Sequence, residues 1–178
     1  MSESGHKPSH HSHHHRKAAP KSVPTAVITV SDTRTQATDK GGALVAELLA
    51  AAGHLVASHE IVADDPDRIR EAVGKGLAAD GVCALILTGG TGVAPRDVTP
   101  DTVEPLLERV VPGFGEIFRQ LSYRDIGSAA ILSRALAGLA RGRVVFVIPG
   151  STGAVRLAME KLIVPELGHL AGEAVKTR

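Results

Sequence analysis

Three short apolar runs, residues 25–30 (TAVITV), 83–87 (CALIL) and 144–148 (VVFVI), each break off at once into a polar or glycine-rich turn. Runs of this length, without alternating polar positions, suit strands covered on both faces, as in parallel sheets. The segments between them carry helical spacing. Leu44, Val45, Leu48, Leu49 and Ala52 make one apolar face, and Asp65 with Pro66 opens a second helix bearing Ile69, Val73 and Leu77. Phe114, Ile117, Phe118 and Leu121 form a third stripe, and Ser151 or Thr152 is placed to cap a last helix through Val155, Met159 and Leu162. Residues 55–62 read as a weaker strand, while residues 126–139 give no assignable pattern. Strand and helix alternating in this way predict an α/β protein: a single three-layer domain whose mostly parallel sheet has helices on both faces. A chain of 178 residues suits one core.

Composition narrows the function classes. With three Phe, one Tyr and no Trp, the chain lacks the aromatic platforms on which single-stranded nucleic acid stacks. Residues 1–24 hold four basic groups and one acid, so residues 25–178 carry a net charge of −2. No basic nucleic-acid-binding face is expected. The lone Cys83 excludes an intrachain disulfide and is expected to be a small buried hydrophobe. Apolar stretches are too short to span a membrane and the N-terminus lacks a signal-peptide core, so a cytoplasmic location is the expectation. Residues 1–24 also hold six of the nine histidines. This stretch reads as a disordered tail ahead of a domain at residues 25–178, with three roles open to it: a solvated tail, an appended tag, or a metal-binding tract.

In folds of this class ligands bind beyond the carboxyl ends of the strands, where turns converge with helix N-termini. Three turns stand out. The first is Ser31, Asp32 and Thr33; the second is TGGTGVAPRD, residues 88–97; the third is Pro149, Gly150, Ser151, Thr152 and Gly153. Gly89, Gly90 and Gly92 admit positive φ and close approach of a ligand, so the second turn is either a tight connection or an anion nest, with Thr88 and Thr91 as extra hydroxyl donors. It is neither a Walker A loop nor a dinucleotide fingerprint. Arg96 adds a cation. Asp97 is either a turn residue ahead of Thr99 and Pro100 or a hard oxygen ligand for Mg²⁺ between phosphates. Asp65 is the helix cap, which leaves Asp64 either solvated or as a second carboxylate facing the phosphate loop.

Taken in order, ITVSDTRT (28–35), DKGG (39–42), TGGTGVAPRDVTPD (88–101), PGFGEIFRQLS (112–122), AILSRALAG (130–138) and IPGSTGAV (148–155) resemble the MoaB/Mog family of molybdenum cofactor biosynthesis. The resemblance spans about residues 25–170, and the PGST form and chain length look more like the MoaB branch. It implies a domain that binds the pterin dithiolene molybdopterin and assembles as a homotrimer or homohexamer, with other proteins of the pathway as partners. The implied reaction is Mg²⁺-dependent transfer of AMP from ATP to the terminal phosphate of molybdopterin, releasing pyrophosphate.

Position by position, Gly89, Gly90, Thr91 and Gly92 match the family's phosphate loop, Asp97 the essential acid of its RDVTP motif, and Asp64 the acid after the second strand. Ser31 and Asp32, Ser133 and Arg134, and Pro149, Gly150 and Ser151 match turns that line its pocket. Some members of the MoaB branch lack the RDVTP pattern; this chain keeps it. Ala63 departs from the family, which commonly has Pro before the acid. A second reading keeps the fold without turnover: a molybdopterin carrier or assembly protein, with the His-rich tail as a metal-delivery arm.

Overall fold

The computed structural model describes residues 20–176. Six strands form one sheet in the order β2-β1-β3-β6-β5-β4: β1 is Thr25–Val30, β2 Val56–Val62, β3 Ala84–Thr88, β4 Arg109–Val110, β5 Leu136–Ala140 and β6 Arg143–Ile148. β2, β1, β3 and β6 run parallel; β5 is antiparallel to β6, and β4 antiparallel to β5. The central strands β1 and β3 are buried at every position, which is why their sequences are apolar without alternation.

Helices cover both faces. On one face α1 (Lys40–Ala51), α4 (Pro112–Ile126), α5 (Thr152–Ala158) and α6 (Val164–Ala174) enclose Val27, Ile86, Phe146 and Ile148. On the other, α2 (Pro66–Ala78) and the short α3 (Thr99–Val103) enclose Ile28, Leu85, Leu87 and Val145. The expected three-layer α/β domain is therefore the observed one. The packed region begins slightly before Thr25: Val23 is fully buried, and its N–H donates to Nδ1 of His54 at 3.2 Å. The rest of the His-rich tail reading, residues 1–19, lies outside the described residues.

The caps fall where the sequence puts them. The Asp65 carboxylate accepts from the N–H groups of Asp67 and Arg68 with Pro66 in the first turn, and Ser151 rather than Thr152 caps α5 through the N–H of Ala154. The stripes need correction. Ala52 lies past the end of α1 and is exposed. On α4 the buried face is Phe114, Gly115, Phe118 and Ser122, leaving Ile117 exposed. In the last helical run a π turn, Met159–Ile163, inserts an extra residue, so the buried positions pass through Val155, Met159, Ile163 and Leu167 instead of Leu162. Cys83 is half-buried rather than enclosed, its thiol directed to the Gly81 carbonyl.

The unassigned stretch resolves into a 3₁₀ segment, Gly127–Leu132, and the strand β5. β5 turns into β6 through Arg141 and Gly142, both at positive φ (50° and 72°), with Ala140 paired to Arg143. Two left-handed residues in a two-residue loop match the twist of antiparallel strands.

Candidate active site

The sheet order reverses at β1: the chain moves outward from β1 to β2, then returns to add β3 on the other side. Such a switch point opens a crevice beyond the strand ends, because the flanking connections leave toward opposite faces. A cleft of about 530 Å³ occupies it. Ser31, Thr88, Gly89, Gly150, Ser151 and Thr152 line this cleft, together with residues the sequence reading did not name as site candidates: Arg34, Asp39, Lys40 and Gly41. A second cleft of about 540 Å³ lies between residues 31–36 and the edge strand β2, and shares Ser31 and Arg34 with the first.

Asp39 is the buried anchor of the first cleft. Its Oδ1 accepts the Gly42 N–H at 2.9 Å, which caps α1. Its Oδ2 accepts the Thr29 hydroxyl at 2.6 Å and lies 3.0 Å from Nε2 of His59. A Cβ on Gly42 would stand within 2.4 Å of all three partners, so glycine is required for this Thr29–Asp39–His59 cluster to close. The signal was present in the DKGG run, as an acid followed by small residues at a helix start.

Of the three glycines in the glycine loop, Gly89 and Gly90 take positive φ and Gly92 does not. Gly89 and Gly90 have φ of 110° and 61°, and a Cβ on Gly89 would stand 2.3 Å from the Val30 carbonyl oxygen. Two expected donors are otherwise engaged: the Gly89 N–H donates to Ile148 O at 3.0 Å, and the Thr88 hydroxyl to Pro149 O at 3.2 Å. These bonds tie the second turn to the third. Anion-binding capacity in the loop therefore falls to the N–H groups that follow Gly89.

Asp64 and Asp97 flank this loop and line neither cleft. The Asp64 N–H donates to Oδ1 of Asp32 at 2.9 Å, and the other Asp32 oxygen pairs with Arg96 at 2.7 Å. Asp32 and Arg96 thus join the first and second turns. Desolvation raises the Asp64 pKa above its ordinary value; the Val98 N–H pulls it down, the Asp97 and Asp32 carboxylates push it up, and Arg96 pulls it down. Oδ1 of Asp64 is buried without a hydrogen-bond partner. Oδ2 of Asp97 accepts the Ala94 N–H at 3.1 Å, so this acid also shapes its own turn.

Arg134 holds the loop from the β5 side. Its Nε donates to Gly92 O at 2.8 Å, one terminal nitrogen donates to Asp97 O, and the other pairs with Asp101 at 2.7 Å. Its backbone N–H reaches Thr91 O at 3.2 Å. The guanidinium is thus engaged with the loop, and Ser133 beside it lines neither cleft.

Among the described residues no three His, Cys, Asp or Glu side chains cluster as a metal site. Two carboxylates are nevertheless a fitting donor set for Mg²⁺, which keeps several positions for water and substrate phosphate. The orphaned oxygen of Asp64 is consistent with such a ligand. Nor is any helix among the described residues long and apolar enough to cross a membrane.

Comparison with known proteins agrees with this architecture. Residues 26–169 match the family described as a probable molybdopterin binding domain. Molybdenum cofactor biosynthesis protein B of Bacillus cereus is 54% identical over 159 residues, covering 89% of this chain and 94% of that protein. The Bacillus subtilis protein of the same name is 52% identical over 164 residues, with 92% and 96% covered. A crystal structure of a molybdenum cofactor biosynthesis protein B superposes with a TM-score of 0.85 at 54% identity, over 88% of this chain and 98% of that one. The tungsten cofactor synthesizing protein MoaB from Pyrococcus furiosus superposes with a TM-score of 0.79 at 37% identity, over 89% and 100%. The chain therefore belongs to the molybdopterin-binding MoaB/Mog family of molybdenum cofactor biosynthesis proteins.

Proposed function

We propose that this protein catalyses transfer of AMP from ATP to the terminal phosphate of molybdopterin. The observation that carries the reading is that the Asp64 carboxylate stands against Gly90 and the Asp97 carboxylate against Gly92 of the glycine loop, with a buried Asp64 oxygen left unpartnered. A molybdopterin phosphate oxygen attacks the α-phosphorus of ATP, the α–β bridging bond breaks, and pyrophosphate leaves. A phosphate monoester is largely ionised at neutral pH, its second pKa being about 6, so no protein base is needed to activate it. Positioning and charge neutralisation carry such a transfer. The backbone of Gly90, Thr91 and Gly92 receives phosphate oxygens, and Ser31, Asp32, Pro149, Gly150 and Ser151 shape the walls around the two substrates. Asp64 and Asp97 would hold Mg²⁺, which when bound neutralises charge on the phosphate oxygens.

The test is purified protein with molybdopterin, ATP and Mg²⁺, assayed for pyrophosphate. Release that requires all three is expected. Stoichiometric molybdopterin binding without pyrophosphate would establish the carrier reading instead.

The assembly proposed is a homotrimer or homohexamer in the cytoplasm. Tyr123, Ile126, Ile131 and Leu132 lie close in sequence at the end of α4 and in the 3₁₀ segment after it, and each is at least 50% exposed, an apolar surface of the kind subunit contacts cover. Light scattering at micromolar concentration is expected to show three or six subunits; an 18.5 kDa species alone would overturn it.

A further inference from the structure

Thr99 carries a hydroxyl that does nothing visible for the fold. It is fully buried, yet its hydroxyl oxygen has no hydrogen-bond partner. The local duty open to it, capping α3, is not performed: Val98 is the cap residue, and no side chain bonds to the first turn. Its neighbour in sequence shows the contrast, since Thr102 spends its hydroxyl on Val98 O at 2.8 Å. A buried hydroxyl without a partner is destabilising, so Val would serve the fold better at this position.

The second orphan stands against the same glycine as the first. Oδ1 of Asp64 and Oγ1 of Thr99 both face Gly90: a Cβ built there would stand 2.8 Å from the former and 2.3 Å from the latter. Gly90 also sits at φ 61°, and its carbonyl is fixed by the Thr99 N–H at 3.1 Å. Two unsatisfied oxygens, one of them a carboxylate, therefore converge on the one residue whose lack of a Cβ admits them both. Hydroxyl and carboxylate oxygens are ligands that a hard divalent cation accepts, with phosphate and water completing its shell.

We propose that Thr99 is a further cation ligand, its hydroxyl and Oδ1 of Asp64 forming a two-oxygen seat against Gly90 for the divalent ion of the reaction. This rests on the adenylyl-transfer reading for the ion's purpose, but not for its binding. Asp97 stands at the same loop, its Oδ2 2.6 Å from where a Cβ on Gly92 would be.

The experiment uses Mn²⁺ as the probe, followed by electron paramagnetic resonance of the free ion, on the full chain with and without pyrophosphate. Thr99→Val keeps the shape and removes the oxygen; Thr99→Ser keeps the oxygen. Thr99→Val is expected to weaken Mn²⁺ binding about tenfold or more, the scale at which metal-site partners act, while its melting temperature without metal stays equal or rises. Thr99→Ser is expected to bind Mn²⁺ much as the parent does. Unchanged Mn²⁺ affinity in Thr99→Val overturns the proposal, as does a metal-free melting temperature that falls in Thr99→Val and is restored in Thr99→Ser, since the hydroxyl would then have a structural partner. Thr99-dependent Mn²⁺ binding in a protein that releases no pyrophosphate would uphold the seat and refute adenylyl transfer.

Discussion

Replacing Arg134 with Met keeps the length of the stem and removes every side-chain donor from the clamp on the glycine loop. The guanidinium gives two bonds to main-chain carbonyls, those of Gly92 and Asp97, and one ion pair to Asp101. Its side chain is 32% exposed and that of Asp101 67%. An ion pair this open contributes under about 1 kcal/mol. The two carbonyl bonds have a charged donor, but water can replace part of it on a half-exposed loop, so about 1 kcal/mol each is the fitting scale. The total, about 2–3 kcal/mol, corresponds to a melting-temperature loss of roughly 4–12 °C for a chain of this size. The consequence for rate is larger, because Asp97 rides on the segment the clamp holds and a displacement near 1 Å costs on the order of 10²-fold. Turnover should fall by that order with molybdopterin affinity little changed. Arg134→Lys restores a point charge toward Asp101 but not the fork, so it should recover part of the melting temperature and little of the rate. Calorimetry with pyrophosphate release on both variants is the assay. A loss of stability of the stated size with turnover intact would refute the argument, because the loop would then hold Asp97 without the clamp.

Three further outcomes follow from the same geometry. Asp97→Asn should lower turnover on the order of 10²-fold or more, as removal of a preorganised electrostatic contact does, with molybdopterin still bound; unchanged turnover would reduce Asp97 to the turn residue that its bond to Ala94 makes it. Asp64→Asn should lose turnover but gain relative stability toward neutral pH. The fold raises the Asp64 pKa above 3.8, so it holds a proton that the unfolded chain has lost, and stability declines as pH rises through the folded-state value; melting curves from acidic to neutral pH that show no growing advantage for the variant would contradict this. Gly89→Ala should cost about 3 kcal/mol or more, its Cβ meeting the Val30 carbonyl oxygen at 2.3 Å, whereas Gly153→Ala, with nothing within 4 Å, should be neutral or stabilising by chemical denaturation.

The parallel half of the molecule was legible because its strands are buried on both faces and its helices carry regular stripes, so the apolar residues report the elements directly. The errors came where geometry departs from one period. The π turn at Met159–Ile163 shifts a stripe by one residue, and on α4 Gly115 and Ser122 occupy buried positions that apolar spacing cannot mark. β5 (LAGLA) has no β-branched residue; a Cβ on its Gly138 would meet the Arg109 carbonyl oxygen at 2.6 Å, so close approach of β4, not strand propensity, selects the residue there. Its hairpin uses Arg-Gly rather than a pair that announces a two-residue turn.

That antiparallel extension bears on the site as well as the fold. The turns at the parallel strand ends could be read from sequence because each follows its strand directly, and the strand ends meet by topology. What fixes the loop bearing Asp97, however, arrives from elsewhere in the chain: Arg134 stands at the entry to β5, and it reaches Gly92 and Asp97 only because β5 pairs with β6, which pairs with β3, whose end is the glycine loop. A side chain that positions a proposed catalytic acid through backbone carbonyls leaves no spacing signature, since carbonyls belong to every residue. The same holds for Thr99, whose burial and missing partner exist only once α3 and Gly90 are brought together. Residues proposed to bind phosphate could thus be named by type and position, and Arg134 by resemblance alone, while the part it plays in holding the loop required the pairing of strands that the sequence did not declare.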